Sequence, residues 1–145
     1  MAKGDIRFRI HPQSVAKLKR KLRVLTSRSN GWGSEKRKRK LSAFIKGWVN
    51  YYKYANILGL MKLIDKWYRR RLRMVIWKQW KKIGTKERNL IKLGINKYKA
   101  WEFANTRKSY WRTSKSPILQ RSVTNERLKL AGYIFFTDYY TKVRV

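Results

Sequence analysis

Residues 60–82 read LMKLIDKWYRRRLRMVIWKQWKK, and their apolar side chains recur at the spacing of one helical face. At about 100° per residue, one sector of this helix holds Leu60, Leu63, Ile64, Trp67, Met74 and Val75. The opposite sector holds Lys62, Lys66, Arg69 and Arg73. The stretch therefore predicts an amphipathic helix with one face toward a core and an outward basic face.

Four side chains refine this division. Arg70 joins the outward basic face, whereas Arg71 leans toward the apolar sector, so we expect Arg71 to snorkel or to pair as a structural arginine. Trp77 and Trp80 lie off the apolar stripe, on the side of the basic face. Two interpretations stay open for these tryptophans: packing against the next part of the chain, or stacking on RNA.

Two further amphipathic segments precede this helix. Pro12 suits the first turn of a helix that runs to about Thr26. Its apolar seam consists of Val15, Leu18, Leu22 and Leu25. After a loop at 27–34, a second helix carries the stripe Leu41, Phe44, Ile45, Trp48, Tyr52 and Ala55. Three such helices with short connections predict a helical bundle.

The remaining segments complete an all-α prediction with two domains. The alternation in DIRFRI (5–10) indicates a short N-terminal extended arm. Beyond Gly84, short helical patterns alternate with turn signals, which indicates a small irregular α-helical unit. We therefore predict a bundle over 1–83 and a small basic unit over 84–145.

The charge balance predicts a polyanionic partner. The chain has 145 residues, and its 39 Lys and Arg against 7 Asp and Glu give a net charge of +32. This excess cannot be neutralised within the chain, so we expect a polyanion to offset the self-repulsion. Seven Trp, nine Tyr and five Phe supply flat rings as well. Basic and aromatic residues together are typical of proteins that bind single-stranded or irregular RNA.

The residues that catalysis would need are sparse. The seven acids are scattered singly, His11 is the one histidine, and there is no cysteine to form a disulfide, a thiolate metal site or a nucleophile. We find no carboxylate pair and no phosphate-binding glycine loop. The sequence therefore predicts a protein that is not an enzyme and needs no metal or cofactor. Without a signal-like N-terminus or a 20-residue apolar run, we expect an intracellular, cytoplasmic location.

Three basic segments are candidates for RNA binding. KRKRK (36–40) begins the second helix, where the helix dipole disfavours cations. This position suggests an external anion, and a solvated run of charge is the alternative interpretation. The other two segments, within 66–82 and 107–112, contain both cations and aromatic rings. Cations can bind phosphates, and aromatic rings can stack on bases. The candidate residues are Lys36, Arg37, Lys38, Arg39, Lys40, Lys66, Arg69, Arg70, Arg73, Trp77, Lys78, Trp80, Lys81, Lys82, Arg107, Lys108, Tyr110, Trp111 and Arg112.

Two other classes of binding protein fit parts of the pattern. A general basic structural protein, associated with ribosomes or the nucleoid, has the same composition. A basic amphipathic helix is also attracted to anionic lipid. The apolar faces of all three helices are needed for one another, however, and positive charge extends along the whole chain. We therefore expect no membrane partner.

Particular strings also resemble a known family. FIKGWVNYYKYAN (44–56), residues 60–82, RNLIKLGI (88–95), WEFANTRKSYWR (101–112), SPILQRSVTNERL (116–128) and DYY (138–140) are similar to the maturase-specific domain of group II intron-encoded proteins. The resemblance runs from about Phe8 to Tyr140. It implies that residues 12–82 correspond to a reverse-transcriptase thumb, a three-helix bundle. It also implies that residues 84–145 correspond to the start of a DNA-binding region.

The resemblance carries expectations about partners. Members bind their own intron RNA and promote its folding into the splicing-competent ribozyme, which itself performs the chemistry. It implies a structured RNA partner, a possible DNA target and a separate or preceding reverse-transcriptase portion. The polymerase palm aspartates and the endonuclease motif of the family have no counterpart in this sequence. We therefore expect RNA binding without catalysis from this chain.

Overall fold

The computed structural model describes residues 10–27 and 31–144. Every regular element in these residues is an α-helix, which confirms the all-α prediction. The helices are α1 (Pro12–Leu25), α2 (Ser34–Tyr52), α3 (Leu58–Gln79), α4 (Ile83–Lys92), α5 (Lys97–Ala104), α6 (Tyr110–Ser114), α7 (Pro117–Ser122), α8 (Asn125–Leu130) and α9 (Phe136–Val143). The predicted N-terminal arm lies outside the described residues, apart from Ile10.

The described residues belong to two compact units. The described residues of the first unit lie within 1–25, 32–67 and 132–145, and those of the second unit lie within 26–31 and 68–131. Helix α3 contributes residues to both, and α9 belongs to the first unit because it packs on α2. The boundaries of these units differ from those of the predicted domains, 1–83 and 84–145. Compactness does not define a functional domain, so the predicted division stays a prediction.

The first unit is built around apolar stripes of four helices. Its buried side chains include Leu18, Leu22, Leu25, Leu41, Ile45, Val49, Met61, Ile64, Phe136 and Tyr140. The hydroxyl of Tyr140 donates to the carbonyl of Ala55 and accepts from the amide of Ile57. These two bonds hold α9 beside the turn that connects α2 to α3.

A buried carboxylate caps α9. Phe135, the residue before the helix, makes no side-chain cap. Asp65 of α3 instead accepts from the amides of Phe136 and Thr137, each at 2.8 Å. The first amides of a helix lack partners within the helix, and a negative charge is favourable there. Asp65 therefore ties α3 to the start of α9.

The buried stripe of α3 agrees with the predicted one at Ile64, Met74 and Val75 and differs from it elsewhere. It consists of Met61, Ile64, Tyr68, Leu72, Met74 and Val75, and among the residues predicted to be apolar-facing Leu63 is 68% exposed. Trp67 is only half-buried, with Lys19 and Arg23 over its ring at 5.7 and 5.5 Å. The prediction placed Leu60, Leu63 and Trp67 on the apolar face. The residues at 61, 64, 68, 72 and 75 are instead spaced three or four apart, so they lie on one face of the helix.

The second unit contains several short helices that begin with a side-chain N-cap. Gly94 ends α4 with φ of 97°, and the next residue, Ile95, donates its amide to the carbonyl of Leu90 at 2.9 Å. This left-handed conformation favours glycine, as the sequence indicated. Asn96 then accepts from the amides of Tyr98 and Lys99 to start α5. Side-chain caps also start the following helices, from Ser109, Ser116 and Thr124.

Candidate nucleic-acid interface

The basic segment at the start of α2 divides into exposed and buried members. Lys36, Arg39 and Lys40 are exposed, whereas Arg37 is only 3% exposed. Arg37 stands four residues before Leu41, so it lies on the buried stripe of the helix. The prediction that all five cations face a ligand is therefore wrong for Arg37 in this conformation.

Arg37 contributes to the interior of the first unit. Its Nη2 donates to the carbonyl oxygen of Trp32 at 3.2 Å. Its positive charge also acts on Tyr133: burial raises the pKa of the Tyr133 phenol, and Arg37 partly offsets that rise. Lys38 lies over the Tyr133 ring at 5.4 Å and reaches Glu35 at 3.4 Å. The phosphate-accessible cations of this segment are thus Lys36, Arg39 and Lys40, with Lys66 exposed on α3 of the same unit.

Arg73 is a core residue of the second unit. It is 7% exposed, and it donates to the carbonyl of Val123 and to Oδ1 of Asn125, both at 2.8 Å. Desolvation, followed by repulsion from Arg69, lowers the pKa of Arg73 to about 10, so it stays charged at neutral pH. The prediction of an outward Arg73 is wrong, because residues distant in sequence cover that side of α3.

The two arginines before Arg73 are also engaged within the second unit. The guanidinium of Arg70 lies 3.7 Å from the ring centroid of Trp111, and it donates to the carbonyl of Trp111 and to Ser114 Oγ. Burial lowers the pKa of Arg70. Arg71 donates to the hydroxyl and carbonyl of Thr26, which confirms its prediction as a structural arginine. Arg70 and Trp111, both predicted to meet RNA, therefore meet each other.

The open question about the α3 tryptophans is resolved for Trp77. It is 1% exposed, with the rings of Phe103 and Trp80 at 5.0 and 6.0 Å. The ammonium of Lys86 lies 4.7 Å from the ring centroid of Trp77 and 5.5 Å from that of Tyr110, which belongs to the same aromatic cluster. An indole buried to this extent cannot stack on a base without a rearrangement. Trp80 and Tyr110 are half-buried at the edge of the cluster.

The remaining predicted cations of the second unit divide by exposure. Arg69 and Lys78 are half-buried and engaged within the chain. The exposed ones are Lys81, Lys82, Arg107, Lys108 and Arg112. Two lie just after α3, and three lie around the start of α6. These exposed side chains present ammonium and guanidinium groups that phosphates can bind.

Exposed aromatic rings lie at positions that the sequence did not single out for binding. Tyr51 at the end of α2 is 80% exposed. On α5, Trp101 is 53% exposed, and Tyr98 lies three residues before it. The available signal was local: Tyr98 stands between two lysines, and Tyr51 and Trp101 each have a lysine two residues away. Exposed rings beside cations are suited to stacking on unpaired bases.

The described residues contain no group of three or more His, Cys, Asp or Glu side chains that could hold a metal ion. In the same part of the chain, no helix is both long and apolar enough to cross a membrane. What the exposed side chains offer chemically is positive charge for phosphates and flat rings for bases.

Comparison with known proteins gives a family. Residues 15–94, from the first turn of α1 to the glycine that ends α4, match the model of the group II intron, maturase-specific domain. This segment is more than half of the chain, and it contains α2, α3, α4 and all but the first three residues of α1. A comparison with curated proteins finds no match. The chain therefore belongs to the group II intron maturase-specific domain family.

Proposed function

We propose that this chain binds group II intron RNA and stabilises its splicing-competent fold, without carrying out chemistry itself. The observation that carries the proposal is the family match over residues 15–94. It is supported by a net charge of +32, for which a polyanion is the natural counterpart.

The binding surface proposed for each unit consists of those cations, among the ones predicted from the sequence to bind RNA, that are exposed. In the first unit these are Lys36, Arg39, Lys40 and Lys66, and in the second Lys81, Lys82, Arg107, Lys108 and Arg112. Phosphate contacts position a protein on RNA, and exposed rings select unpaired bases in loops and bulges. The buried Arg37, Arg73 and Trp77 hold the fold that presents this surface.

The mechanism needs only differential binding. A protein that binds the folded intron more tightly than its unfolded forms shifts the folding equilibrium toward the folded RNA. The catalytic groups then belong to the RNA. A DNA target and a reverse-transcriptase portion, in the same chain or in another, complete the set of proposed partners.

Salt dependence tests the phosphate contacts. Lys36, Arg39 and Lys40 are replaced together by alanine, and affinity for an intron RNA is measured by filter binding over a series of KCl concentrations. Each lost phosphate contact flattens the slope of log affinity against log salt by about 0.7 to 0.9. The control triple is Arg20, Lys62 and Lys142, exposed cations of the same unit outside the proposed surface. Equal effects of the two triples would place the binding surface elsewhere.

Specificity is tested separately, with an unrelated structured RNA of equal length. At raised salt, where the non-specific contribution is weakened, the intron RNA is expected to bind more tightly. Equal affinities would instead describe a general basic nucleic-acid-binding protein and would overturn the proposal of an intron partner.

A further inference from the structure

An open groove of about 650 Å³ runs between α1 and α2 of the first unit. Its lining is mostly aromatic on the α2 side and basic on the α1 side. The lining residues are Ser14, Lys17, Leu18, Lys21, Ala43, Phe44, Gly47, Trp48, Tyr51 and Tyr52. A groove of this size is in the range of small-molecule and nucleotide sites.

The aromatic wall is held in place by its own contacts. The rings of Trp48 and Tyr52 are 4.5 Å apart, and those of Tyr51 and Tyr52 are 4.8 Å apart. Behind them, the buried Phe136 meets Trp48 edge-on at 6.0 Å. Tyr51 nevertheless stays exposed, so one flat face is available at the rim. Rings fixed in this way lose little conformational entropy when a flat ligand arrives.

Gly47 lines the groove and has open space beside it. It lies in the middle of α2, where glycine is less favourable than alanine. Its backbone does not have a positive φ, and no other part of the described structure lies within 4 Å of the position that a Cβ would occupy. Internal packing and backbone conformation therefore give no reason for a glycine here. Free space next to an aromatic wall does give one, because a flat ligand can approach the helix backbone.

The opposite wall is positively charged. Lys17 and Lys21 are one helical turn apart on α1, and both are exposed at the rim. Among the described residues, those that line the groove include no acidic side chain. A ligand that matches both walls has a flat aromatic part and a negatively charged part a few ångströms away, which is the chemistry of a nucleotide.

We propose that the α1–α2 groove holds an unstacked nucleobase of a bound RNA strand, over Gly47 and against Trp48 and Tyr51, while Lys17 and Lys21 contact its flanking phosphates. This inference rests on the proposed function and deepens it: the groove reads a single-stranded or bulged nucleotide, in addition to the phosphate contacts made elsewhere. Recognition is by stacking, so it tolerates different bases.

Filling the groove tests the inference. Gly47→Leu places an apolar side chain where the base would lie and removes no charge. Affinity of the full chain is measured for a uridine dodecamer, whose bases are unstacked in solution, and for a dodecamer of abasic ribose phosphates. We expect Gly47→Leu to weaken binding of the uridine strand at least about five-fold, the loss of roughly 1 kcal/mol of stacking. Its salt slope and its affinity for the abasic strand stay as in the wild type.

A matched control comes from the same unit. Gly59 lies in the first turn of α3, outside the groove, and also has open space around its Cβ position. Gly59→Leu is expected to leave both affinities unchanged. The double variant Lys17→Ala and Lys21→Ala is expected to weaken binding of both strands and to flatten the salt slope by up to about 1.4.

The free protein supplies a second readout. Gly47→Ala is expected to raise the thermal midpoint, since it improves helix propensity in open space. A lower midpoint would mean that the chain itself, or a second copy, needs this space, and would overturn the inference. Unchanged binding of the uridine strand by Gly47→Leu would overturn it too, with the proposed function intact. Failure of the wild type to bind any RNA would instead reject the proposed function.

Discussion

At the scale of single residues, Arg73 shows how a positive charge can serve the interior of a strongly basic protein. Replacing Arg73 by alanine leaves the carbonyl of Val123 and Oδ1 of Asn125 without their donors. We expect the free energy of unfolding to fall by about 2 kcal/mol, a typical value for hydrogen bonds to a charged group. Urea denaturation followed by circular dichroism measures this loss.

The control for that experiment is Arg121→Ala, which removes an exposed arginine from the same unit. Loss of a single cation should by itself relieve self-repulsion slightly, so this variant is expected to be as stable as the wild type or slightly more so. If Arg73→Ala were equally stable, the buried hydrogen bonds of Arg73 would not stabilise the second unit.

The basic residues also show what a sequence can predict at this scale. Arg71 was placed correctly because its direction follows from helical geometry alone. Arg37 could have been placed correctly too, since it stands one turn before the buried Leu41. The burial of Arg73 was not predictable in this way, because its acceptors lie 50 and 52 residues further along the chain.

At the scale of helices, Asp65 makes the fold of α9 depend on α3. Asp65→Asn keeps the shape of the side chain but turns one acceptor into an NH₂ group that faces an amide. We expect the free energy of unfolding to fall by about 1–3 kcal/mol, because a buried amide of Phe136 or Thr137 loses its acceptor. Hydrogen exchange of these two amides should accelerate beyond the global change.

Asp138→Asn provides the matched control. Asp138 lies in the first turn of α9 and is exposed, so the substitution removes the same charge from the same helix end. A charge at an exposed helix N-terminus contributes about 0.3–1 kcal/mol, so the loss of stability should be smaller than that of Asp65→Asn. If the two variants were equally destabilised, charge and not the pair of hydrogen bonds would explain the role of Asp65.

Helices and packing differ in how far local sequence determines them. The first three helices were predicted from periodicity, and Gly94 and Asn96 from their turn chemistry. The buried face of α3 was predicted in part: Ile64, Met74 and Val75 are buried as expected, whereas Leu63 is exposed and Met61 and Tyr68, which were not assigned to this face, are buried. The place of α9 beside α2 depends on contacts between distant segments, such as that of Tyr140 with Ala55, and no local pattern encodes them.

At the scale of the whole molecule, the net charge of +32 bears on both the proposed partner and the expected stability of the free protein. Composition alone predicted a polyanionic partner. It could not predict which cations contact other residues of the chain. That choice depends on tertiary burial, as Arg70 and Trp111 illustrate by stacking on each other. Candidate sites in such a protein are therefore better chosen from exposed cations and open aromatic grooves than from runs of charge.

The same net charge makes the stability of the free protein depend on salt. With 39 basic and 7 acidic residues, repulsion among like charges is expected to destabilise the compact state more than ion pairs such as that of Lys38 with Glu35 can offset. Raising NaCl from about 0.05 to 0.5 M shortens the screening length several-fold. We therefore expect the thermal midpoint to rise, measured by circular dichroism without RNA. Sodium sulfate at matched ionic strength should raise the midpoint further, because sulfate also strengthens apolar burial. A thermal midpoint independent of NaCl would show that self-repulsion does not limit the stability of this fold. Any stabilisation by a bound polyanion would then have to come from specific contacts alone.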